Sequence, residues 1–376
     1  MADFSEMDHQ LMARALQLAR RGRYTTMPNP CVGCVIVSSQ GDIVGEGWHH
    51  RAGGPHAEVH SLQMAGDKAK GATAYVTLEP CSHFGRTPPC AEGLVKAGIA
   101  KVVVAMLDNN PSVSGRGMAI LDAAGIHTAY GLMAAEAQQL NPGFFQRMKT
   151  GRPLVKAKLA MSLDGRTAMS SGESQWITGP DARGEVQRLR AQSCAIMTGV
   201  GSILHDDSSL TVRAEELSLP EAKDICQRQP LRVVLDSQLQ TPVTAKVVHG
   251  PGQCLIVATP LASIERKQQL EAAGAEVWIQ PNASKQVDLP AVLDELGRRE
   301  CNNLLLETGA TLAGSMMDEG LVDELVVFMA PVLMGSDARP LLELPLLTMS
   351  EKKSLDITDI RAVGTDWKIT AKVKKG

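Results

Sequence analysis

Three side chains of metal-ligating type stand in an order that few folds can satisfy. His56 opens His56-Ala57-Glu58; beyond a β-rich run at Ala72–Leu78 comes Pro80-Cys81, and then Cys90. One imidazole and two thiolates are sound ligands for Zn²⁺, and three protein ligands leave a fourth tetrahedral position for water. The apolar patterns start helices near His56 and Cys90, where the helix dipole favours a thiolate. Helices must therefore alternate with strands so that two helix starts and one strand end can meet. Glu58, two residues after His56, can reach that water without ligating the metal and move its proton. The competing reading is three unrelated buried residues with Glu58 on a solvated face. The demanding order argues against it.

The remaining cysteines and histidines carry less. Cys31 and Cys34 form a C-x-x-C, but in a strand that separation puts two side chains on opposite faces. Cys194, Cys226, Cys254 and Cys301 have no partner spacing and read as small core residues. Eight cysteines in 376 residues are too sparse for a disulfide framework, which points to a reducing cytoplasm. His49 and His50 flank a hairpin end, as surface or substrate-side residues. His83 falls between Cys81 and Cys90, where a loop histidine is commonly solvated.

Length and composition bound the rest. A chain of 376 residues suggests two domains, here 1–148 and 149–376. Hydrophobic residues at 44% and charged residues at 21% exclude wholesale disorder. A net charge of −3 leaves no bulk basic field for nucleic acid or an anionic membrane. No run approaches the ~20 apolar residues of a membrane span. The amphipathic start, helical over about Met7–Arg21, has no apolar signal region. Strands are expected at Val32–Val37, Ile43–Gly47, Ala72–Leu78 and Lys101–Met106. The Gly/Pro-punctuated stretch from Asn141 to Pro153 reads as a linker or a helix-to-strand junction. Beyond it, strand-like runs recur at Leu154–Ala160, Ala195–Gly199, Leu231–Leu235, Cys254–Ala258, Glu276–Ile279, Leu304–Glu307, Leu325–Phe328 and Trp367–Val373. Both halves are thus α/β.

The second half lacks G-x-G-x-x-G: Gly199-Val200-Gly201 begins it, but Leu204 takes the final glycine position. Another phosphate cradle is visible where Leu304–Glu307 runs into Thr308-Gly309-Ala310-Thr311-Leu312-Ala313-Gly314-Ser315 and a helix. A tight turn would look the same. Lys156 and Lys158 alternate along the first strand. Arg190 and Arg213 can act as bidentate forks for a phosphate, although each taken singly fits a surface charge.

The His-x-Glu … Pro-Cys order is the signature of zinc-dependent nucleobase deaminases, except that eight residues rather than two separate the cysteines. Asn29, held between Pro28 and Pro30, can pair its amide with the polar edge of a pyrimidine, or serve only as a rigid turn. Over essentially its whole length the chain resembles the bifunctional pyrimidine deaminase/reductase family of riboflavin biosynthesis. The first half does so through Thr26–Val37, His56-Ala57-Glu58 and Glu79–Cys90. The second does so through Lys158–Arg166, Trp176-Ile177-Thr178-Gly179 and Leu210-Thr211-Val212-Arg213.

The resemblance implies an N-terminal cytidine-deaminase-like α/β/α domain and a C-terminal dihydrofolate-reductase-like α/β domain. It implies zinc on His56, Cys81 and Cys90, with Glu58 as the catalytic proton shuttle. It implies NADPH at Ala160, Trp176, Ser202, Asp206, Ser237 and Gly309–Ser315, and substrate at Ser174, Arg190, Leu210, Arg213 and Glu307. Lys158 and Asn29 join the substrate side on the residue reading. Ser208 stands where family members often carry proline after the paired aspartates, which leaves Asp206 less constrained. The expected substrate is a small phosphoribosyl pyrimidine, deaminated and then reduced from a ribosyl to a ribityl chain. The expected assembly is a homodimer binding neither nucleic acid nor membrane. Two rivals remain: a deaminase acting on nucleic-acid bases, disfavoured by charge and by the 3% aromatic content, and a non-catalytic zinc protein, which needs a fourth ligand.

Overall fold

The computed structural model describes residues 4–82, 89–108, 114–281 and 283–374. The chain forms two compact units, Met1–Gly151 and Arg152–Gly376. The segment read as linker or junction is the second of these: a helix over Pro142–Thr150 ends at Gly151, and a strand starts at Leu154.

The first unit runs α1 (Glu6–Arg20), β1 (Gly33–Val37), β2 (Ile43–Trp48), α2 (Ala57–Ala65), β3 (Thr73–Val76), α3 (Cys90–Lys96), β4 (Lys101–Val104), α4 (Arg116–Ala123), β5 (His127–Tyr130), α5 (Ala134–Leu140) and α6 (Pro142–Thr150). Its five strands lie in the order β2-β1-β3-β4-β5. β1 is antiparallel to β2 and β3, and β3, β4 and β5 are parallel. Alternation along β1 divides the core. Cys34 and Ile36 pack with α2, α3 and α4, whereas Val35 and Val37 pack with Leu11, Met12, Ala15 and Leu16 of α1. Ser5 caps α1 in a capping box with Asp8, which satisfies two of its orphan N–H groups. On β2, a Cβ at Gly47 would meet the Ala57 carbonyl at 2.5 Å. Only glycine lets the start of α2 sit this close to the sheet.

The second unit runs β6 (Leu154–Ser162), β7 (Arg166–Ala168), α7 (Pro180–Ala191), β8 (Ala195–Gly199), α8 (Val200–Asp206), α9 (Ala214–Leu217), α10 (Ala222–Ile225), β9 (Leu231–Leu235), α11 (Lys246–His249), β10 (Cys254–Ala258), α12 (Ile264–Ala272), β11 (Glu276–Ile279), α13 (Leu289–Arg298), β12 (Asn303–Glu307), α14 (Ala310–Asp318), β13 (Glu324–Ala330), β14 (Arg339–Pro340), β15 (Leu355–Val363) and β16 (Asp366–Val373). Nine strands form one sheet in the order β11-β10-β9-β8-β12-β6-β13-β16-β15. It is parallel from β11 to β13 and antiparallel through β16 and β15. Both faces are covered over β8, β10 and β12, so these strands read as near-continuous apolar runs. Leu304 and Leu306 of β12 face α13 and α14, and Leu305 faces the side of α7 and α12. β15 eluded the sequence because most of its side chains are exposed and give no period.

The hairpin β15–β16 is tied to α7 by charge. Glu185 on α7 accepts from Lys368 Nζ at 2.8 Å, Arg361 Nη2 at 3.1 Å and Arg188 Nη1 at 2.5 Å. Desolvation opposes ionisation of Glu185, but the Lys368 hydrogen bond and charge outweigh it and hold the carboxyl down to about 2. A depressed carboxylate stabilises the fold fully above its ordinary pKa, and that contribution disappears as pH falls toward 2. Glu185→Gln is expected to cost roughly 2–3 kcal/mol at pH 7. In urea unfolding across pH, the gap from the wild type should narrow between pH ~5 and ~2; a gap independent of pH would show that the charge is not the source.

Candidate active sites

In the first unit the two helix starts meet as the sequence order requires. His56 is the N-cap of α2, in extended conformation, and Cys90 is the first residue of α3. His56 Nδ1 lies 3.3 Å from Cys90 Sγ and 3.6 Å from Cys81 Sγ. The three ligand atoms lie within 4.8 Å of one another and form the group of metal-binding type among the described residues. Bond lengths of about 2.0 Å to nitrogen and 2.3 Å to sulfur at a tetrahedral angle place N and S about 3.5 Å apart. Both nitrogen–sulfur spacings therefore match a zinc site. The Cys90 main-chain N–H donates to Cys81 Sγ at 3.3 Å. Cys81 is held below the ordinary thiol range by its hydrogen bonds with the Cys90 side chain, His56 and that N–H, against desolvation. Glu58 is 3% exposed. Burial pushes its carboxyl up to about 7, the Cys81 charge adds to the rise, and His56 opposes it.

Two features of this site were not read from the sequence. Glu79, immediately before Pro80-Cys81, is buried and accepts four main-chain N–H groups: Asp108 at 3.1 Å, Gly115 at 3.0 Å, Gly117 at 2.9 Å and Met118 at 3.4 Å. It thus caps α4 and fixes the approach to Cys81. Asn141 bonds both main-chain groups of Cys31, accepting at 2.7 Å and donating at 2.9 Å. This steadies the segment that carries Asn29. The only hint was position: a Glu before the Pro-Cys pair and an Asn before a helix-starting proline.

Asn29 Nδ2 lies 3.1 Å from His49 Nε2, and His49 Nδ1 lies 3.0 Å from the Pro55 carbonyl. The carbonyl can only accept, so Nδ1 carries the proton and Nε2 accepts from the Asn29 amide. His49 is buried, its ring centre 5.2 Å from that of His56 in an edge-to-face arrangement. His50 instead is exposed and stacks on His60. Cys31 and Cys34 are both buried, and desolvation pushes both thiols up. His83 lies outside the described residues.

In the second unit the neighbouring order β8-β12-β6 brings the carboxyl ends of three parallel strands together, the usual place for a ligand in such a sheet. Lys158 and Glu307 are paired across β6 and β12. Arg190 of α7 donates to both Glu307 oxygens, at 2.7 and 2.9 Å. Burial works against the charge on Glu307, but the Arg190 charge outweighs it and keeps the carboxyl below its ordinary value. Burial pushes Lys158 down. Ala160 is two residues further along β6, and Ser202 and Asp206 lie on α8, Asp206 being exposed. Gly309 is the N-cap of α14 in extended conformation, and a Cβ there would meet nothing within 4 Å. The backbone N–H groups at that start are open to a phosphate and fit the nicotinamide nucleotide. Most of Gly309–Ser315, however, is helix rather than loop. Ala313 and Gly314 are buried, and a Cβ at Gly314 would meet the Glu343 carbonyl at 2.2 Å. Ser237 follows β9, with its carbonyl taken by Thr259. Ser174 and Trp176 precede α7; Trp176 is exposed, with Arg183 4.8 Å from its ring centre. Leu210 is buried in the left-handed region (φ 52), and Arg213 pairs with Glu216 at 2.7 Å.

The profile described as the cytidine and deoxycytidylate deaminase zinc-binding region matches residues 5–106, and that of the RibD C-terminal domain matches residues 153–369. The first unit is of the zinc-dependent deaminase class and the second of the reductase class. The riboflavin biosynthesis protein RibD of Escherichia coli is 52% identical over 363 residues, covering 96% of this chain and 97% of its own. That of Haemophilus influenzae is 46% identical over 374 residues, 98% of each. Acinetobacter baumannii RibD superposes with a TM-score of 0.90 at 42% identity, over 98% of this chain and 99% of that one. A diaminohydroxyphosphoribosylaminopyrimidine deaminase/5-amino-6-(5-phosphoribosylamino)uracil reductase of Thermotoga maritima does so with 0.83 at 28% identity, again over 98% and 99%. The chain belongs to the RibD family. It is a bifunctional enzyme of riboflavin biosynthesis, a zinc-dependent deaminase and an NADPH-dependent reductase acting on a small pyrimidine. The second unit has the dihydrofolate-reductase-like fold of that family.

The close approach of α4 to the Cys81 turn can be tested with one methyl group. A Cβ at Gly117 would meet the Pro80 carbonyl at 2.1 Å. Gly117→Ala is expected to displace Pro80-Cys81, cost roughly 1–3 kcal/mol, and release zinc faster to a chelator. Unchanged zinc retention would show that the turn has slack.

Proposed function

We propose that His56, Cys81 and Cys90 hold the zinc of the deaminase and that Glu58 moves the protons. The observation that carries this is the pair of 3.3 and 3.6 Å spacings around His56 Nδ1 beside a buried carboxyl. When bound, zinc acidifies water and polarises the attacked position. Glu58 takes the proton of the attacking water and delivers it to the exocyclic nitrogen, which leaves as ammonia. A buried carboxyl two residues from His56 is placed to serve both halves of that transfer. Asn29, held by His49, orients the pyrimidine by its polar edge.

In the reductase, NADPH supplies the reducing equivalent. The N–H groups at Gly309 and the start of α14 take its phosphate, with Ala160, Trp176, Ser202, Asp206 and Ser237 along the same side. Arg190, Glu307, Leu210, Arg213 and Ser174 form the substrate side, with Arg213 on the phosphate. Lys158 protonates the ring oxygen as the ribose opens: burial lowers its pKa, Glu307 is engaged by Arg190, and Asp206 is exposed. Deamination comes first, because the reductase named in the Thermotoga relative acts on a uracil, the deaminated base.

Glu58→Gln is expected to lower deamination by about 10²–10⁴-fold while zinc stays bound and reduction of the deaminated substrate continues. Mass spectrometry of the zinc-loaded protein with the diaminopyrimidinone ribosylamine phosphate and NADPH checks it. The wild type should exchange an amine for oxygen and then add two hydrogens; deamination persisting in the variant would remove Glu58 from its role.

The protein is proposed to act as a cytoplasmic homodimer that binds neither nucleic acid nor membrane. Among the described residues, no helix is long and apolar enough to cross a membrane. β15 is a sheet edge, and Leu355, Ile357 and Ile360 on it are 41%, 60% and 54% exposed. The bulge between Ile357 and Asp359 keeps all three on the face of Ile369 and Trp367. An apolar face continuous with the core and ending on an unpaired edge suits a second copy. Ile357→Lys is expected to halve the mass in sedimentation equilibrium; an unchanged mass would move the interface elsewhere.

A further inference from the structure

Residues Leu210 to Arg213 pair with no strand among the described residues, yet Leu210, Thr211 and Val212 are buried. Buried main-chain groups need partners, and here side chains supply them. Arg190 Nη1 donates to the Thr211 carbonyl at 3.0 Å. Gln229 accepts from Val212 N–H at 2.9 Å and donates to the Val212 carbonyl at 3.1 Å. Gln187 accepts from Arg213 N–H at 3.0 Å, and its amide nitrogen donates to Glu216 Oε2 at 3.1 Å. Glu216 in turn receives Arg213 Nε and Nη2, both at 2.7 Å.

Two amides thus do the work of a neighbouring strand. Gln187, only 1% exposed, governs Arg213 twice: through its main chain, and through the carboxylate on which its guanidinium rests. A fork-shaped guanidinium binds phosphate only when its plane is aimed. We propose that Gln187 is a positioning residue of the reductase that sets the reach and plane of Arg213, with Gln229 holding the residue before it. This rests on the reading that Arg213 binds the substrate phosphate. Arg190 touches this segment only at the Thr211 carbonyl and is held to Glu307 by its own two-point pair, so Gln187 governs substrate capture rather than the reducing step.

The test uses the full-length, zinc-loaded enzyme and three variants: Gln187→Leu, Gln187→Glu and Arg213→Met. Gln187→Leu keeps similar volume and removes both hydrogen bonds. Gln187→Glu keeps the acceptor for Arg213 N–H but sets a carboxylate against Glu216, and it carries the test if the leucine variant does not fold. Reductase kcat and both KM values are measured with the phosphorylated ribosylaminouracil and with its dephosphorylated form; deamination serves as the internal control. Gln187→Leu is expected to raise KM for the phosphorylated substrate about tenfold or more, while kcat, KM for NADPH and deamination change less than about threefold. With the dephosphorylated substrate, variant and wild type should coincide.

A KM unchanged in both Gln187 variants but raised in Arg213→Met would overturn the positioning role and leave the Arg213 reading intact. A KM unchanged in Arg213→Met would overturn that reading, and the positioning role with it. Equal losses in kcat and both KM values, with either substrate, would reduce Gln187 to a structural residue.

Discussion

Two thiols and a carboxyl gathered around one imidazole form a cluster that water would disperse. Their ionised forms repel, and burial raises the energy of each. The first unit is organised around making that cluster tolerable. The start of α3 offers a main-chain N–H to Cys81, the start of α2 places His56 and Glu58 two residues apart, and a divalent cation would balance the thiolates. Glycines at 47 and 117 let α2 approach the sheet, and α4 the Cys81 turn, more closely than any side chain would allow. The α/β/α sandwich supplies the rigid sheet against which those approaches are made.

The second unit solves a different problem with related means. Its central strands are covered on both faces, so chemistry is confined to their carboxyl ends. There Glu307 and Lys158 stand as registered neighbours, and Arg190 reaches them from α7. A buried arginine–carboxylate pair adds little net stability against an apolar alternative, but it fixes geometry. Phosphate-binding groups and reducing cofactor can then be presented from loops and helix starts around a stationary centre.

The gathering of His56, Cys81 and Cys90 was legible in the sequence because residue type and order together point to that chemistry. Most strands of the second half were foreshadowed by apolar runs, which reflect burial on both faces, but their order in the sheet was not. Residues acting through distant partners stayed hidden. Glu79 works on Asp108 and Gly115, Asn141 on Cys31, and Gln187 on Arg213 and Glu216. None of these pairings leaves a local period or motif. β15 escaped for the opposite reason: too few of its side chains are buried to imprint alternation.

The two sulfurs are secured from outside the stretch that separates them. Cys81 is fixed from its N-terminal side by Glu79 and the Pro80 contact with α4, and Cys90 is fixed from its C-terminal side as the first residue of α3. The intervening residues can therefore lengthen, shorten or change composition without moving the metal site. In this architecture the length of chain between the two cysteines and the position of the two sulfurs are inherited separately.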